Sequence, residues 1–415
     1  MHWGLGGLLV LGFACPGRTT QVGREAEPRH ALALPPAPPV PVRPGLEVLL
    51  TDSLHLVRGR RVGLVTNQAG VDRQGVSGVD RLLAAGVRLV ALFSPEHGFR
   101  GTADPGAAVA SSTDSATGLP IYSLYGGNSA PTDAMLENID IMVVDLQDAG
   151  ARYYTYLWTT AAVMRSAARR HIPVVVLDRP NPLGATVQGN VLDTAFRSAV
   201  GLLAVPMRHG MTLGELAGLA RHDLGLDVEL TVVPAAGWQR AMYFDQTGLP
   251  FVSPSPNLRS LEALLHYPGL CLFEGTSLSV GRGTDHPFEQ VGAPWLDTSA
   301  VLRRVRQARL PGVEFMGISF TPRLPGDGKY ADTLLAGIRL RVTDREVYDP
   351  TVTAMKLLGA VIETQPAGFH WLAPHFTRLY GAPPPEVSPD SLIAAWGAER
   401  QVFLARRRPF LLYPE

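Results

Sequence analysis

Cysteine is almost absent from this chain of 415 residues, with Cys15 and Cys271 its only two. Two cysteines so far apart build no disulfide scaffold and match no zinc-ligand spacing. Cys271 lies in an apolar stretch and is expected to be a small buried hydrophobe. Aromatic residues are only 7% of the chain against 46% hydrophobic in all, so large cores must be filled mainly by aliphatic side chains. Charge of one sign is also missing. Lys plus Arg and Asp plus Glu are both 37, which leaves no basic excess to draw nucleic acid and no polybasic run for anionic lipid. No Gly-x-Gly-x-x-Gly follows the first expected strand, no Gly-Lys-Ser/Thr closes a glycine-rich loop, and there is no Gly-x-Ser-x-Gly elbow. Dinucleotide, phosphoryl-transfer and serine-hydrolase chemistry are therefore disfavoured. Metal hydrolysis would rest on the scattered set His97, Asp104, Asp148 and His209, with no closely spaced histidine pair behind it.

The N-terminus reads as a separate object. Leu5 to Ala14 is an apolar stretch of about ten residues, too short for a stable membrane anchor and close to a secretory signal. Leu11-Gly12-Phe13-Ala14-Cys15 loosely resembles a bacterial lipoprotein cleavage box, although Phe13 is bulky and no Lys or Arg precedes the apolar stretch. The expectation is export to the periplasm or medium over residues 1–15, with a lipidated Cys15 as membrane tether or plain secretion as the alternative. Residues 16–44 are proline-rich and are expected to form an extended polyproline II linker.

What the chain has in quantity is buried strands alternating with helices. Arg61–Thr66, Val87–Phe93, Ile141–Leu146 and Pro173–Leu177 are aliphatic runs without period-two alternation, the pattern of strands covered on both faces in a parallel sheet. Helical spacing appears at Val48–Leu56, Asp80–Ala85, Met135–Asn138 and Tyr153–Arg170. Thr212 with Glu215 makes a capping-box start before a fifth strand at Leu230–Pro234. This order predicts right-handed βαβ units and an α/β, Rossmann-like parallel-sheet domain over 45–236. From Gly237 a Pro- and Gly-rich region breaks the rhythm. Short strands such as Leu334–Val342 then mix with helices such as Val352–Glu363, which predicts a second, smaller α+β C-terminal domain over 237–415.

The strands end in polar clusters, and ligands of open α/β sheets bind beyond the carboxyl ends of the strands. Asn67-Gln68, Ser94-Pro95-Glu96-His97-Gly98, Asp145-Leu146-Gln147-Asp148 and Asp178-Arg179-Pro180-Asn181 are therefore expected to form one active-site rim. Glu96, bracketed by proline and glycine at the mouth of an apolar sheet, suits a partly desolvated general acid, with a helix-capping role as the alternative. His97 would orient Glu96 or a substrate hydroxyl. Asp148 offers the second carboxylate of paired-acid hydrolysis, while Asp145 is expected to satisfy loop amides. Arg152 would either pair with Asp148 or grip a substrate carboxylate through its rigid fork. Further polar clusters surround Arg208-His209, Asn257, Glu274 and Arg282.

Taken in order, Gly63–Gln68, Leu92–Gly98, Gly118–Gly126, Asp145–Tyr156, Leu177–Pro182, Arg208–Ala217, Pro254–Asn257, Tyr267–Gly275 and Gly281–Trp295 closely resemble the bacterial exo-β-N-acetylmuramidases of the NamZ type. That resemblance implies a cleft between the two domains, completed by the C-terminal one. It also implies release of N-acetylmuramic acid (MurNAc) from non-reducing ends of peptidoglycan fragments (MurNAc-β-1,4-GlcNAc) in cell-wall turnover, with no cofactor. Leu278 and Val280, and Asp285-His286 in place of a Thr-Arg pair, depart from the pattern on one loop.

On this reading Glu96 is the general acid, Asp148 or Glu274 the second carboxyl group, and His97 their neighbour. Asn67, Gln147, Asn181 and Asn257 would bind sugar hydroxyls and the acetamido group, with Gln68, Tyr154 and His209 completing the set. Arg152, Arg282 and Arg208 are the candidates for the lactyl carboxylate that distinguishes muramic acid from glucosamine. The competing readings are a lipid-tethered muropeptide-binding or sensor protein without catalysis, and a metal-dependent amidase or deacetylase.

Overall fold

Aliphatic runs with no polar face have to be covered from both sides, and here they are. In the computed structural model, which describes residues 41–104, 106–108, 110–386 and 388–414, nine strands precede residue 240. They are β1 (Arg61–Thr66), β2 (Arg88–Ser94), β3 (Ser112–Thr113), β4 (Pro120–Ser123), β5 (Ile141–Asp145), β6 (Val174–Leu177), β7 (Gln188–Val191), β8 (Pro206–Arg208) and β9 (Leu230–Val233). Seven of them make one sheet in the order β3-β4-β2-β1-β5-β6-β9, parallel throughout except for the β3–β4 pair. The chain steps outward from β1 through β2 to β4, then returns to β5 on the other side of β1. This places the topological switch point between β1 and β5.

Period two decides which face each strand residue covers. Val62, Leu64, Leu92, Val143 and Val175 share one core with Leu46 and Leu49 of the helix Gly45–Asp52 and Val79 and Leu82 of the helix Gly78–Ala84. Val65, Phe93, Met142, Val144 and Val176 face the other way, toward Val163 and Met164 of the helix Tyr156–Ala168 and Leu216 and Leu219 of the helix Leu213–Asp223. Each such side chain contributes roughly 1.5–3 kcal/mol on burial, so the strands need no polar face. The expected capping box is present, with Thr212 N–H donating to Glu215 Oε2 at 3.0 Å and Glu215 N–H to Thr212 Oγ1 at 3.3 Å.

The second core does not stop at the sheet. It continues through Leu270, Val291, Ile338, Leu358 and Phe403, so the smaller C-terminal region shares its interior with the first. That region holds an antiparallel sheet of β10 (Gln290–Ala293), β11 (Val313–Phe320) and β12 (Leu335–Val342) in the order β10-β12-β11, with helices Leu261–Leu270 and Thr298–Arg306 beside it and Pro350–Thr364 packed on those two helices. The last segment returns to the parallel sheet, where Tyr413 donates its hydroxyl to Asp178 Oδ2 at 2.7 Å.

The expected helix Val48–Leu56 is Gly45–Asp52 followed by a single 3-10 turn, Leu54–Leu56, and the short strands β3 and β4 were not foreseen. Cys15, the expected signal and residues 16–40 of the expected linker lie outside the described residues. Residues 41–44, expected as the end of that linker, belong to the fold. Arg43 and Ala236 exchange backbone hydrogen bonds of 2.9 Å in both directions, and Val42 is buried with Ala235, Trp238 and Tyr413.

Candidate active site

The strand-end clusters separate into two halves. Over the switch point and the strands beyond it, most polar groups bond one another, with Gln68 Oε1 and His209 Nε2 left buried without a hydrogen-bond partner among the described residues. Asn67 donates to the Tyr156 hydroxyl at 2.5 Å and accepts from Ala69 N–H at 3.1 Å; Tyr156 in turn donates to Pro254 O at 3.0 Å. Gln68 donates to Ser253 O at 2.9 Å. Asp145 accepts two bonds from Arg179, at 2.6 and 3.0 Å. Gln147 donates to Asp148 O and Pro180 O at 2.9 and 3.0 Å, and Asn181 binds Met211 O and Leu183 N–H at 2.8 and 2.9 Å. Asp148 accepts from Gly150 N–H at 2.7 Å and stands 3.4 Å from His209 Nε2, while His209 Nδ1 accepts from Met211 N–H at 3.2 Å. Only glycine fits at 150, because φ is +78° and a Cβ there would sit 2.6 Å from Asn181 Oδ1.

Two of the three candidate arginines are also inside the fold. Arg152 is buried and donates to Asn190 O, Val205 O, Asn190 Oδ1, Leu379 O and Tyr380 O at 2.6–3.2 Å, tying the helix Ala373–Tyr380 to the β7–β8 ribbon. Arg208 donates to Gln188 Oε1 at 2.9 Å and to Leu183 O.

The open half lies beyond β2 and β4. A cleft of about 580 Å³ is lined there by Glu96, His97, Tyr125, Tyr153, Tyr154, Thr155, Tyr267, Glu274, Arg282, Phe288, Asp327, Lys329 and His375, among others. Glu96 follows the last residue of β2 by two positions, and its carboxyl is held on both oxygens. Gly106 N–H donates to Oε1 at 3.0 Å and the Thr155 hydroxyl to Oε2 at 2.6 Å. The Tyr125 phenol also bonds Glu96, and burial together with the Glu96 charge keeps that phenol protonated far above its usual range. His97 has φ +72° and sets Nδ1 2.8 Å from Ala103 O, an arrangement in which Nδ1 carries the proton. Burial lowers its pKa against the opposing pull of Glu96, so the ring is neutral at pH 7.

Across the cleft, Glu274 and Arg282 form a buried ion pair of 2.5 Å, with the guanidinium 5.0 Å above the Phe288 ring. Burial pushes the Glu274 carboxyl up, but the Arg282 charge and hydrogen bond, with His375 and Lys329, outweigh it and hold it below the usual range. Lys329 gives its ammonium to the carbonyls of Phe273, Glu274, Thr276 and Leu278 at 2.7–3.3 Å and so fixes the turn that carries Glu274. Arg282 Nη1 is buried and has no hydrogen-bond partner among the described residues. Tyr153, Tyr154, Tyr267 and Phe288 make edge-to-face contacts with ring centroids 4.9–6.5 Å apart, giving the cleft an aromatic wall beside its polar groups.

Of the residues singled out in the sequence, Glu96, His97, Tyr154, Glu274 and Arg282 meet at this cleft. Asp148, Asn67, Gln68, Gln147, Asn181, His209, Arg152 and Arg208 do not line it, because their polar groups close the switch point or the ribbon. Asn257 faces a neighbouring depression. No three His, Cys, Asp or Glu side chains gather as a metal set among the described residues, so His97, Asp104, Asp148 and His209 do not converge. Sequence reasoning missed Tyr125, Thr155, Asp327, Lys329 and His375. Tyr125 and Thr155 sit within stretches already notable for their motifs, and Asp327 lies in the turn signal Pro325-Gly326-Asp327-Gly328. Nothing local marks Lys329, whose four carbonyl partners are more than 50 residues away in sequence.

Comparisons with known proteins identify the family. Residues 62–262 match the family described as exo-beta-N-acetylmuramidase NamZ, N-terminal, and residues 265–413 match its C-terminal counterpart. The peptidoglycan beta-N-acetylmuramidase NamZ of Bacillus subtilis (strain 168) is 41% identical over 381 residues, covering 90% of this chain and 91% of that one. Two DUF1343 family proteins of Bacteroides fragilis NCTC 9343 share the fold. One has a TM-score of 0.81 at 30% identity, covering 91% of this chain and 100% of its own; the other has 0.72 at 32%, covering 90% and 99%. Matches of this length and identity, across both regions that wall the cleft, make the chain a member of the NamZ family of exo-β-N-acetylmuramidases.

Proposed function

We propose that Glu96 is the proton donor of a peptidoglycan exo-β-N-acetylmuramidase and that Arg282 reads the lactyl carboxylate of the MurNAc residue it releases. The observation that carries this reading is the pairing, in one cleft, of a carboxyl group held by a hydrogen bond on each oxygen with a buried guanidinium that has an unpartnered N–H. A positioned acid at the glycosidic oxygen supplies about 10²–10⁴-fold of rate. The Glu274 ion pair orients the Arg282 fork at the cleft wall, where a substrate carboxylate would meet it. The aromatic wall offers an apolar surface to the sugar ring, and His97, neutral with Nε2 free of the Ala103 bond, is available to a hydroxyl.

The test is a product assay with MurNAc–GlcNAc disaccharide, run with and without chelator. Free MurNAc and GlcNAc in equal amounts, unaffected by chelator, is the expected result. No product would favour a binding protein, and chelator-sensitive release of acetate from the disaccharide, or of peptide from its stem-bearing form, would favour a deacetylase or an amidase. The reading extends to the cell envelope, where such a substrate is found. An N-terminal signal ending at Cys15 would export the chain, and lipidation would tether it. Wild-type protein in the membrane fraction, released by Cys15→Ser with activity retained, is the outcome expected for a tether; soluble wild-type protein in the periplasm or medium indicates plain secretion.

A further inference from the structure

Beside the cleft lies a second depression of about 530 Å³ that the proposed reaction does not use. Four segments line both cavities and turn different residues to each. Gly106, Ser255 and Leu258, Arg282, and Asp327 with Lys329 face the cleft. Asp104, Asn257 with Arg259, Gly283 to His286, and Arg323 with Leu324 face the depression. Gly326 borders both. The loops between are joined by backbone, with Arg323 N–H donating to Gly283 O at 2.8 Å. Gly283, at φ +75°, has no room for a Cβ, which would fall 2.4 Å from Arg323 O. The depression is thus the outward continuation of the cleft over a fixed ridge.

Its chemistry differs from that of the cleft. Arg259 donates Nε to Pro256 O at 2.6 Å, and Arg339 donates to Gln290 Oε1 at 2.8 and 3.2 Å. Those acceptors are neutral, and neither arginine is ion-paired among the described residues, whereas Arg323 is paired with Asp332. Two guanidinium groups without an ion-pair partner among the described residues therefore face the depression, which the Asp104 and Asp285 carboxylates also line. Leu324 stands on the ridge at 91% exposure with φ +46°, a strained backbone that holds an apolar side chain out in water.

We propose that this depression is a leaving-group subsite, holding the anionic glycopeptide that follows the scissile linkage, with carboxylates of its lactyl-linked peptide stem on Arg259 and Arg339 and Leu324 against its apolar parts. The proposal rests on the muramidase reading. A polymer cut at its non-reducing end has to leave the cleft by an open side, and every second sugar of that polymer carries carboxylates.

The experiment compares kcat/KM on MurNAc–GlcNAc with that on MurNAc–GlcNAc–MurNAc bearing a peptide stem, for wild type, Arg259→Ser and Leu324→Ser. Loss of one charge-assisted hydrogen bond should lower kcat/KM of Arg259→Ser on the longer substrate by at least about tenfold, through KM. The disaccharide, which ends before the depression, should be turned over as by wild type. A longer substrate with its stem carboxylates amidated should lose the advantage over the disaccharide. Equal losses on both substrates, or no loss on the longer one, would overturn the subsite. If wild type cleaves neither substrate, the muramidase reading fails. Calorimetric binding of the acidic fragment to wild type and to Arg259→Ser then decides the subsite separately, with equal affinities counting against it.

Discussion

Two halves of the same sheet edge present the same residue types and do opposite things with them. Over β1, β5 and β6, acid, amide and guanidinium groups are mostly bonded to one another, Gln68 Oε1 and His209 Nε2 being the exceptions among the described residues. Asp145 holds Arg179, Asn67 holds Tyr156, and Asn181 holds Met211 and Leu183. Over β2 and β4, Glu96 is bonded on both oxygens yet still borders the cleft, and Arg282 across from it keeps an N–H with no partner. In many parallel sheets the switch point is the ligand site; here it is sealed, and the cleft has moved one strand pair over, where the C-terminal region supplies the facing wall. A buried polar group costs little when fully paired and a great deal when not. The sealed half therefore reports on stability and the open half on chemistry.

The largest effect that could break this division is the removal of the acid. Glu96→Gln keeps the shape of the side chain and should lower kcat on a chromogenic β-N-acetylmuramide about 10³-fold, some 4 kcal/mol, with the melting temperature near that of wild type. Turnover close to wild type would remove Glu96 from the reaction. On the sealed half the expectation reverses. Arg179→Met leaves the Asp145 carboxylate, 1% exposed, without its ion pair, and breaking such a buried pair costs about 3–5 kcal/mol. Urea unfolding should show that loss, while kcat/KM per folded molecule stays within about twofold. A specific fall in kcat without destabilisation would put the sealed half back into the site.

The third prediction uses pH on the same sealed half. Asp178 is fully buried, and burial pushes its carboxyl from 3.8 to about 6 despite the hydrogen bonds from Thr212, Tyr413 and Gly214 that oppose the rise. The folded state therefore binds this proton more tightly than the unfolded chain does. Its contribution is fully present below the unfolded value near 4 and is lost as pH rises through about 6. A two-unit difference corresponds to roughly 3 kcal/mol. Asp178→Asn should flatten the difference in unfolding free energy between pH 5 and pH 7.5; an unchanged slope would show that Asp178 does not carry it.

These outcomes also bear on what was legible in the chain. The parallel sheet could be read because aliphatic runs without alternation have few other places to go, and the capping box at Thr212 is a local pattern. The strand β4 is too short to stand out, yet it places Tyr125 on Glu96. Clusters at strand ends were visible as clusters. Whether each was paired or free was not visible, because Asp145 finds Arg179 across 34 residues and Arg152 finds Leu379 and Tyr380 across more than 220. Arg152, Arg208 and Arg282 look alike in sequence, all near Gly or aromatic neighbours. Only the folded chain shows that carbonyl oxygens hold the Nη groups of the first two, whose Nε atoms stay buried without a partner among the described residues, and that of the three Arg282 alone lines the cleft.

That distinction sets the smallest and most discriminating prediction. If Arg282 reads the lactyl carboxylate, its contribution is a charge-assisted bond of about 1.5–3 kcal/mol in a cleft whose other contacts a glucosaminide can also make. Arg282→Met is a poor probe on its own, because it strands the buried Glu274 carboxylate and destabilises the cleft wall for reasons unrelated to substrate. Arg282→Lys keeps the charge beside Glu274 but loses the planar fork. The double variant Arg282→Met with Glu274→Gln removes both charges. Both should raise KM for a muramide by about tenfold or more with a smaller change in kcat, and both should narrow the preference over the matching N-acetylglucosaminide by the same factor. Arg152→Lys and Arg208→Lys, on the sealed side, should lower stability and leave that preference intact. If Arg282→Lys and the double variant discriminate the two sugars as well as wild type does, the open N–H of Arg282 serves something other than the lactyl group. The division between the two halves would then survive only for Glu96.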